Sequence, residues 1–112
     1  MSEEAPRRAF VPTHVAVYCR DRPDSQAARK AAAQDHLRYV EGVLDRIALA
    51  GPLFSDDGSQ MNGSFYVFRT SSVAEARRWL EADPYFAAGF WASVEYRPFL
   101  PAAGDFVGGT IW

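Results

Sequence analysis

A histidine and an aspartate in this chain of 112 residues have the types and positions that acid–base chemistry requires. His36 shares a helical spacing with Val40 and Val43, which places it at the edge of an apolar stripe. A partly desolvated histidine with an acid partner can take or give a proton near neutral pH. The same position also suits a histidine at the edge of the core that is hydrogen-bonded to a backbone carbonyl. The spacing by itself favours this structural role.

Asp83 stands directly before Pro84. Because proline disfavours helical geometry in the residue before it, the helix that leads into Asp83 should stop there. The carboxylate then stands on a stiff junction and holds a repeatable position. A helix stop followed by a loop acid is the simpler alternative, and only a chemical partner for Asp83 would displace it.

Other residues that often do chemistry give weaker signals. Arg29 lies seven residues before His36, two turns back on the same helix face. Cys19 has no base that the sequence places beside it, so we expect a small buried hydrophobic residue. A metal site made of His36 and Asp83 alone is disfavoured, because zinc sites normally take three or four protein ligands. We therefore expect no metal and no cofactor.

Regular alternation of apolar residues predicts the elements that position these groups. Strands are predicted at residues 14–21, 47–53, 64–70 and 93–100. The first helix is predicted from about Gln26 to Leu44, and a capping box at 72–75 opens a second helix of about ten residues.

Three finer expectations concern these elements. The first helix should bury a stripe formed by Leu37, Val40, Leu44 and Ile47. Gly51-Pro52 should close the second strand with a turn, and residues 85–91 should form an aromatic loop around Gly89.

The order β-α-β-β-α-β predicts an α+β fold of the ferredoxin-like, split βαβ type, an antiparallel sheet with both helices on one face. The strands are apolar on both faces, so the face without helices needs cover. A two-fold homodimer with sheet facing sheet would supply it.

Composition narrows the class of protein. A net charge of −2 and a pI near 5.6 do not favour nucleic acid or an anionic membrane as partners. The single cysteine, the start of the chain and the lack of a long apolar run favour a soluble cytoplasmic protein. We expect a flexible N-terminal arm at residues 1–10, one domain at 11–100, and a glycine-containing tail of the same domain at 101–112.

Several short motifs carry a resemblance to a known family. They are the first strand, Arg29, Asp35-His36-Leu37, Ala50-Gly51-Pro52-Leu53, Gly63-Ser64, residues 81–89 (EADPYFAAG) and residues 94–99 (VEYRPF). On these residues the chain resembles the YciI-like (YCII-related) family of small dimeric α+β barrel proteins over about residues 14–99. The segment around Asp83-Pro84-Tyr85 is the most specific part of the match.

The resemblance implies a ferredoxin-like dimer with a pocket between helices and sheet, in which His36 and Asp83 form a catalytic pair. Two departures are apparent, since Ala33 and Asp45 stand where the family often has a basic residue and a glycine. On this basis we expect acid–base chemistry on a small molecule, of a lyase, isomerase or dehalogenase-like kind.

In that hypothesis Arg29 binds a substrate carboxylate, while Gly51, Pro52 and Tyr85 shape the pocket. The alternative is a non-catalytic metabolite-binding or accessory module in which His36 and Asp83 make a structural hydrogen bond. The substrate does not follow from the sequence.

Overall fold

A computed structural model describes residues 10–112, so the predicted arm at 1–10 falls almost wholly outside the described residues. The core elements are β1 (His14–Asp21), α1 (Gln26–Glu41), β2 (Ile47–Phe54), β3 (Met61–Phe68), α2 (Val73–Glu81), α3 (Pro84–Ala88) and β4 (Trp91–Phe99). Two-residue strands β5 (Ala103–Gly104) and β6 (Gly109–Thr110) pair with each other in the tail. The α+β split βαβ prediction is confirmed.

The sheet is antiparallel in the order β2-β3-β1-β4, which places β1 in the interior of the sheet. Burial alternates along β1, where Val15, Val17 and Cys19 are fully buried beneath the helices. Tyr66 and Phe68 of β3 share that face. The helix-covered face therefore carries the core.

α2 packs on the core through its apolar side. Ala76 and Leu80 are fully buried. The hydroxyl of Ser72 accepts a hydrogen bond from the backbone N–H of Glu75 at 3.1 Å, which satisfies one free donor at the start of the helix.

The stripe predicted for the first helix is wrong in part. α1 ends at Glu41, and Leu44 lies in a one-turn 3₁₀ helix, Leu44–Arg46. Leu37 and Leu44 are 55% and 61% exposed. The line that faces inward contains Arg29 and His36, because α1 packs its alanine-rich and polar side against the sheet and α3.

Two local predictions are corrected. Gly51-Pro52 does not close β2, which continues to Phe54. β2 is an edge strand, where a proline without an N–H is tolerated. Residues 85–91 are also not a loop, because Pro84 opens α3 and Gly89, with φ of 76°, ends it before β4 begins at Trp91.

Candidate active site

Asp83 is fixed by the backbone break that the sequence predicted. Its φ of −72° and ψ of 130° are extended, and it forms the N-cap of α3. Its Oδ1 accepts the backbone N–H of Tyr85 at 2.9 Å. The side chain is only 1% exposed, so every further partner must come from within the fold.

His36 is that partner. Its Nδ1 lies 2.8 Å from Oδ1 and 2.9 Å from Oδ2 of Asp83, so the imidazole donates to the carboxylate. The histidine side chain is 15% exposed and the aspartate 1%. The structure therefore brings together the two residues that the sequence proposed as a pair, with Asp83 behind His36.

The hydrogen bond to Asp83 holds one edge of the imidazole, and stacking on Tyr85 holds the plane of the ring. The rings of His36 and Tyr85 stack with centroids 3.7 Å apart and planes 8° apart. Nδ1 faces Asp83. The other ring nitrogen, Nε2, makes no hydrogen bond to residues 10–112. When Nδ1 carries the proton of the neutral ring, Nε2 presents a free lone pair.

Tyr66 is a third member of this group that the sequence analysis missed. Its hydroxyl donates to Oδ2 of Asp83 at 2.7 Å. Burial, reinforced by the charge of Asp83, raises the pKa of Tyr66 far above its usual range, so the phenol stays protonated as a donor. The alternation of β3 puts Ser64, Tyr66 and Phe68 on one face, which is the signal that could have found it.

Arg29 is more tightly held than the sequence suggested. Nε lies 2.7 Å from Oδ2 of Asp21, and Nη2 lies 3.2 Å from Oδ1. Nη2 also donates to Ser64 Oγ at 2.8 Å and to the carbonyl of Gly63. The remaining nitrogen, Nη1, rests 4.0 Å from the sulfur of Met61. Substrate binding by Arg29 stays a prediction that concerns Nη1.

A cavity of about 330 Å³ opens beside His36, at the lower end of the range for small-molecule sites. Its walls are formed by Arg29, Ala33, His36, Leu37, Val40, Ala50, Gly51, Pro52, Met61, Ser64, Tyr66 and Tyr85. The predicted pocket residues Gly51, Pro52 and Tyr85 thus line the same space as His36. The walls are mainly apolar, with a few polar groups that converge near the imidazole.

The two positions that differ from the usual family residues, Ala33 and Asp45, lie in different parts of the structure. Ala33 lines the cavity, whereas Asp45 lies in the 3₁₀ helix and is not among the lining residues. A larger opening of about 650 Å³ lies on the other face of the sheet. His14 and Arg69 are among its walls, but no carboxylate is, so it lacks the acid–base pairing seen at His36.

The remaining nucleophile and metal candidates give no site. Burial raises the pKa of the Cys19 thiol to about 12, which keeps it protonated and unreactive. Within residues 10–112 no three His, Cys, Asp or Glu side chains are grouped as a metal site requires. In the same part of the chain, no helix has the length and apolarity to span a membrane.

Comparison with known proteins relates this chain to a family. The profile of the YCII-related domain matches residues 13–100. Protein YciI of Escherichia coli O6:H1 is 31% identical over 90 residues, which is 74% of this chain and 92% of that protein. Protein YciI of Shigella flexneri matches to the same extent.

A solved structure is similar in fold and sequence. It is 5-chloro-2-hydroxyhydroquinone dehydrochlorinase (TftG) from Burkholderia phenoliruptrix AC1100, in complex with 2,5-dihydroxybenzoquinone. The TM-score is 0.70 and the identity 28%, over 82% of this chain and 96% of the dehydrochlorinase.

Proposed function

The chain belongs to the YCII-related domain family, and on that premise we propose that it is an acid–base catalyst acting on a small organic molecule. His36 transfers the proton through Nε2. Asp83 orients the imidazole and stabilises its protonated form. The substrate binds in the cavity between α1, the sheet edge at β2 and Tyr85.

The arrangement of Nδ1 against Asp83 is the observation that carries this proposal. A buried carboxylate that accepts from Nδ1 selects the tautomer whose Nε2 lone pair is free. It also favours the imidazolium that forms when Nε2 takes a proton. Because Asp83 is 1% exposed, it assists His36 and does not meet the substrate itself.

The dehydrochlorinase TftG supports an elimination as the type of reaction. In such a step His36 Nε2 removes a proton from a hydroxyl or carbon of the substrate. The electrons of the broken O–H or C–H bond form a new double bond. Chloride or another leaving group departs with the electron pair of its bond to carbon. Lyase or isomerase chemistry needs the same first proton transfer, so the site supports the class of catalysis and leaves the leaving group open.

A non-catalytic ligand-binding module is the alternative. The hydrogen bonds of Asp83 to Tyr66 and to the N–H of Tyr85 support it, because they would be equally useful in a purely structural junction. The two functions differ in what His36 does to a bound ligand. A binding module releases the ligand unchanged, whereas a catalyst converts it.

A thermal-shift screen of halogenated and unhalogenated hydroquinones and quinones would test the proposal, with each hit followed for product formation. We expect hits that raise the melting temperature and are converted by the wild-type chain. Hits that bind in the cavity and are recovered unchanged would favour the binding module. His36→Ala in the same screen shows whether the histidine is part of the binding surface.

The sheet face without helices supports a homodimer as the assembly. Tyr18 and Phe99 are each 40% exposed on this face, next to the tail in which Phe106 is 89% exposed. Exposed apolar groups gathered on one face are typical of a contact surface. In a dimer with a two-fold axis, the helix-free face of each copy would cover that of the other.

A further inference from the structure

We propose that Arg29 is a positioning residue for His36, acting through the ring of Tyr85, and that Asp21 holds Arg29 in this role. The inference rests on the proposed function of His36. It revises the role that the sequence suggested for Arg29, and it gives a role to Asp21, which the sequence analysis did not single out.

Asp21 and Arg29 form a buried, two-pronged ion pair. Their side chains are 3% and 5% exposed, and two nitrogens of the guanidinium face the two oxygens of the carboxylate. Such a pair fixes the guanidinium in direction as well as in position. A buried arginine without its acid would be strongly unfavourable, so Asp21 is what allows Arg29 to lie here.

The guanidinium also ties α1 to the beginning of β3. Nη2 donates to Ser64 Oγ at 2.8 Å and to the Gly63 carbonyl, while Nε is taken by Asp21. A substrate carboxylate would have to displace these partners in order to meet the same nitrogens. The bonding pattern therefore favours a structural anchor over a ligand-binding group.

Two aromatic rings lie against the anchored cation. The Cζ atom of Arg29 is 5.2 Å from the ring centre of Tyr85 and 5.1 Å from that of Phe90. Distances of this size give an attraction between the cation and the ring faces. Tyr85 thus lies between Arg29 and His36, which stacks on it at 3.7 Å, and the rings of Phe90 and Trp91 also pack against it at near-perpendicular angles.

The consequence for His36 is a fixed ring plane. Asp83 constrains the imidazole through Nδ1, but a single hydrogen-bonded edge still lets a ring tilt. Stacking on Tyr85 removes that freedom, and Tyr85 can do so only while its own ring is held. Asp21, Arg29 and Tyr85 therefore form a chain of contacts that ends on the reactive ring.

The ring-current shift of the His36 ring protons reports directly on this series of contacts. The protein has two histidines, so histidine-labelled protein gives two imidazole signals, and His36→Ala assigns them. We expect the His36 ring protons of the wild type to be shifted upfield by Tyr85. Arg29→Met and Asp21→Asn should reduce that shift, and Asp21→Glu, which restores the charge, should recover part of it.

Arg77→Met is the matched control. It removes another arginine from an aromatic face, since Arg77 lies 4.5 Å from the ring centre of Tyr96, and it touches neither Tyr85 nor His36. We expect its His36 shift to be that of the wild type. An unchanged His36 shift in folded Arg29→Met would overturn the proposal.

A carboxylate probe provides a second, independent test for the case in which Arg29→Met does not fold. Benzoate titrated into the wild-type protein should leave the Tyr85 and His36 signals unchanged, since Arg29 is already paired. Saturable benzoate binding to the wild type that disappears in Arg29→Lys would assign Arg29 to the substrate and contradict the positioning role. Neither measurement involves turnover, so both remain informative if the protein proves to be a binding module.

Discussion

The imidazole of His36 and the carboxylate of Asp83, 47 residues apart in the chain, meet at 2.8 Å with Nδ1 facing the acid. α1 supplies one partner and the break between α2 and α3 supplies the other. The imidazole is left with one nitrogen for the cavity. The proposed catalytic role of each residue rests on this asymmetry.

Asp83→Asn should remove the preference of His36 for one tautomer, with little change in the shape of the site. The amide offers one acceptor oxygen where the carboxylate satisfies His36, Tyr66 and the N–H of Tyr85. We expect long-range ¹H–¹⁵N spectra of the wild type to show one neutral tautomer with the proton on Nδ1, and those of Asp83→Asn to lose that preference.

Asp35→Asn is the control for this substitution. Asp35 lies beside His36 in the sequence, but it is 68% exposed, and among the described residues its ion-pair partner is Arg38. Its loss should leave the histidine spectrum unchanged. A single Nδ1–H tautomer that persists in Asp83→Asn would show that Asp83 does not select it.

Gly63→Ala should destabilise the fold and loosen Arg29. A Cβ at this position would lie 2.6 Å from the carbonyl oxygen of Cys19, which is backbone and cannot swing away. We expect a loss of roughly 1–3 kcal/mol in the free energy of unfolding, measured by denaturant titration.

Gly51→Ala is the matched change on the neighbouring strand. A Cβ there meets nothing within 4 Å, and β2 is an edge strand. The free energy of unfolding should stay within about 0.5 kcal/mol of the wild type, as for substitutions away from packed features. Equal losses for both alanines would show that the close approach at Gly63 is not the cause.

The buried thiol of Cys19 should make the free energy of unfolding depend on pH. Burial raises the pKa of its thiol from 9.0 to about 12. Between these values the unfolded chain loses the proton and the folded chain keeps it, so the contribution of Cys19 is complete below pH 9 and falls as the pH rises towards 12.

The comparison with Cys19→Ala isolates this contribution. The difference in the free energy of unfolding between wild type and variant should shrink above pH 9. Thiol reagents should modify Cys19 only at the rate of unfolding, because the side chain is 0% exposed. Rapid modification of the native protein would contradict a protonated, buried thiol.

Tyr18→Arg should convert the proposed homodimer into monomers. It places a charge at the centre of the face without helices, where the second copy would lie. Light scattering after gel filtration should give the mass of two chains for the wild type and of one chain for Tyr18→Arg. Leu44→Arg, at a residue that is 61% exposed outside the sheet, should leave the mass at two chains. A monomeric wild type at high concentration would remove the dimer from the account.

Local signals in the sequence were enough for the strands and the first two helices, whereas the pair at the centre of the site was implied by the family resemblance. Strand alternation predicted β1, and the effect of Pro84 on the preceding residue predicted the extended geometry of Asp83. Such signals are local, because they depend on side-chain periodicity and on steric clashes between neighbouring residues. They transfer directly to the folded chain.

The remaining partners depend on contacts between distant elements. Tyr66 reaches Asp83 from β3, and Asp21 reaches Arg29 from the end of β1, and no spacing along the chain encodes either distance. The exposure of Leu37 has a related cause. Apolar spacing predicts a stripe, but α1 faces the sheet with the side that carries buried Arg29 and half-buried His36.

The rate of conversion of a substrate identified in the ligand screen, compared between the wild type and His36→Ala, tests the central claim most directly. The account predicts a fall in kcat of about 10²–10⁴-fold, as for the loss of a positioned acid or base. The folded state of the variant should be intact, because His36 lies at the edge of the core with its side chain 15% exposed. An unchanged kcat in folded His36→Ala would contradict a role for His36 in proton transfer.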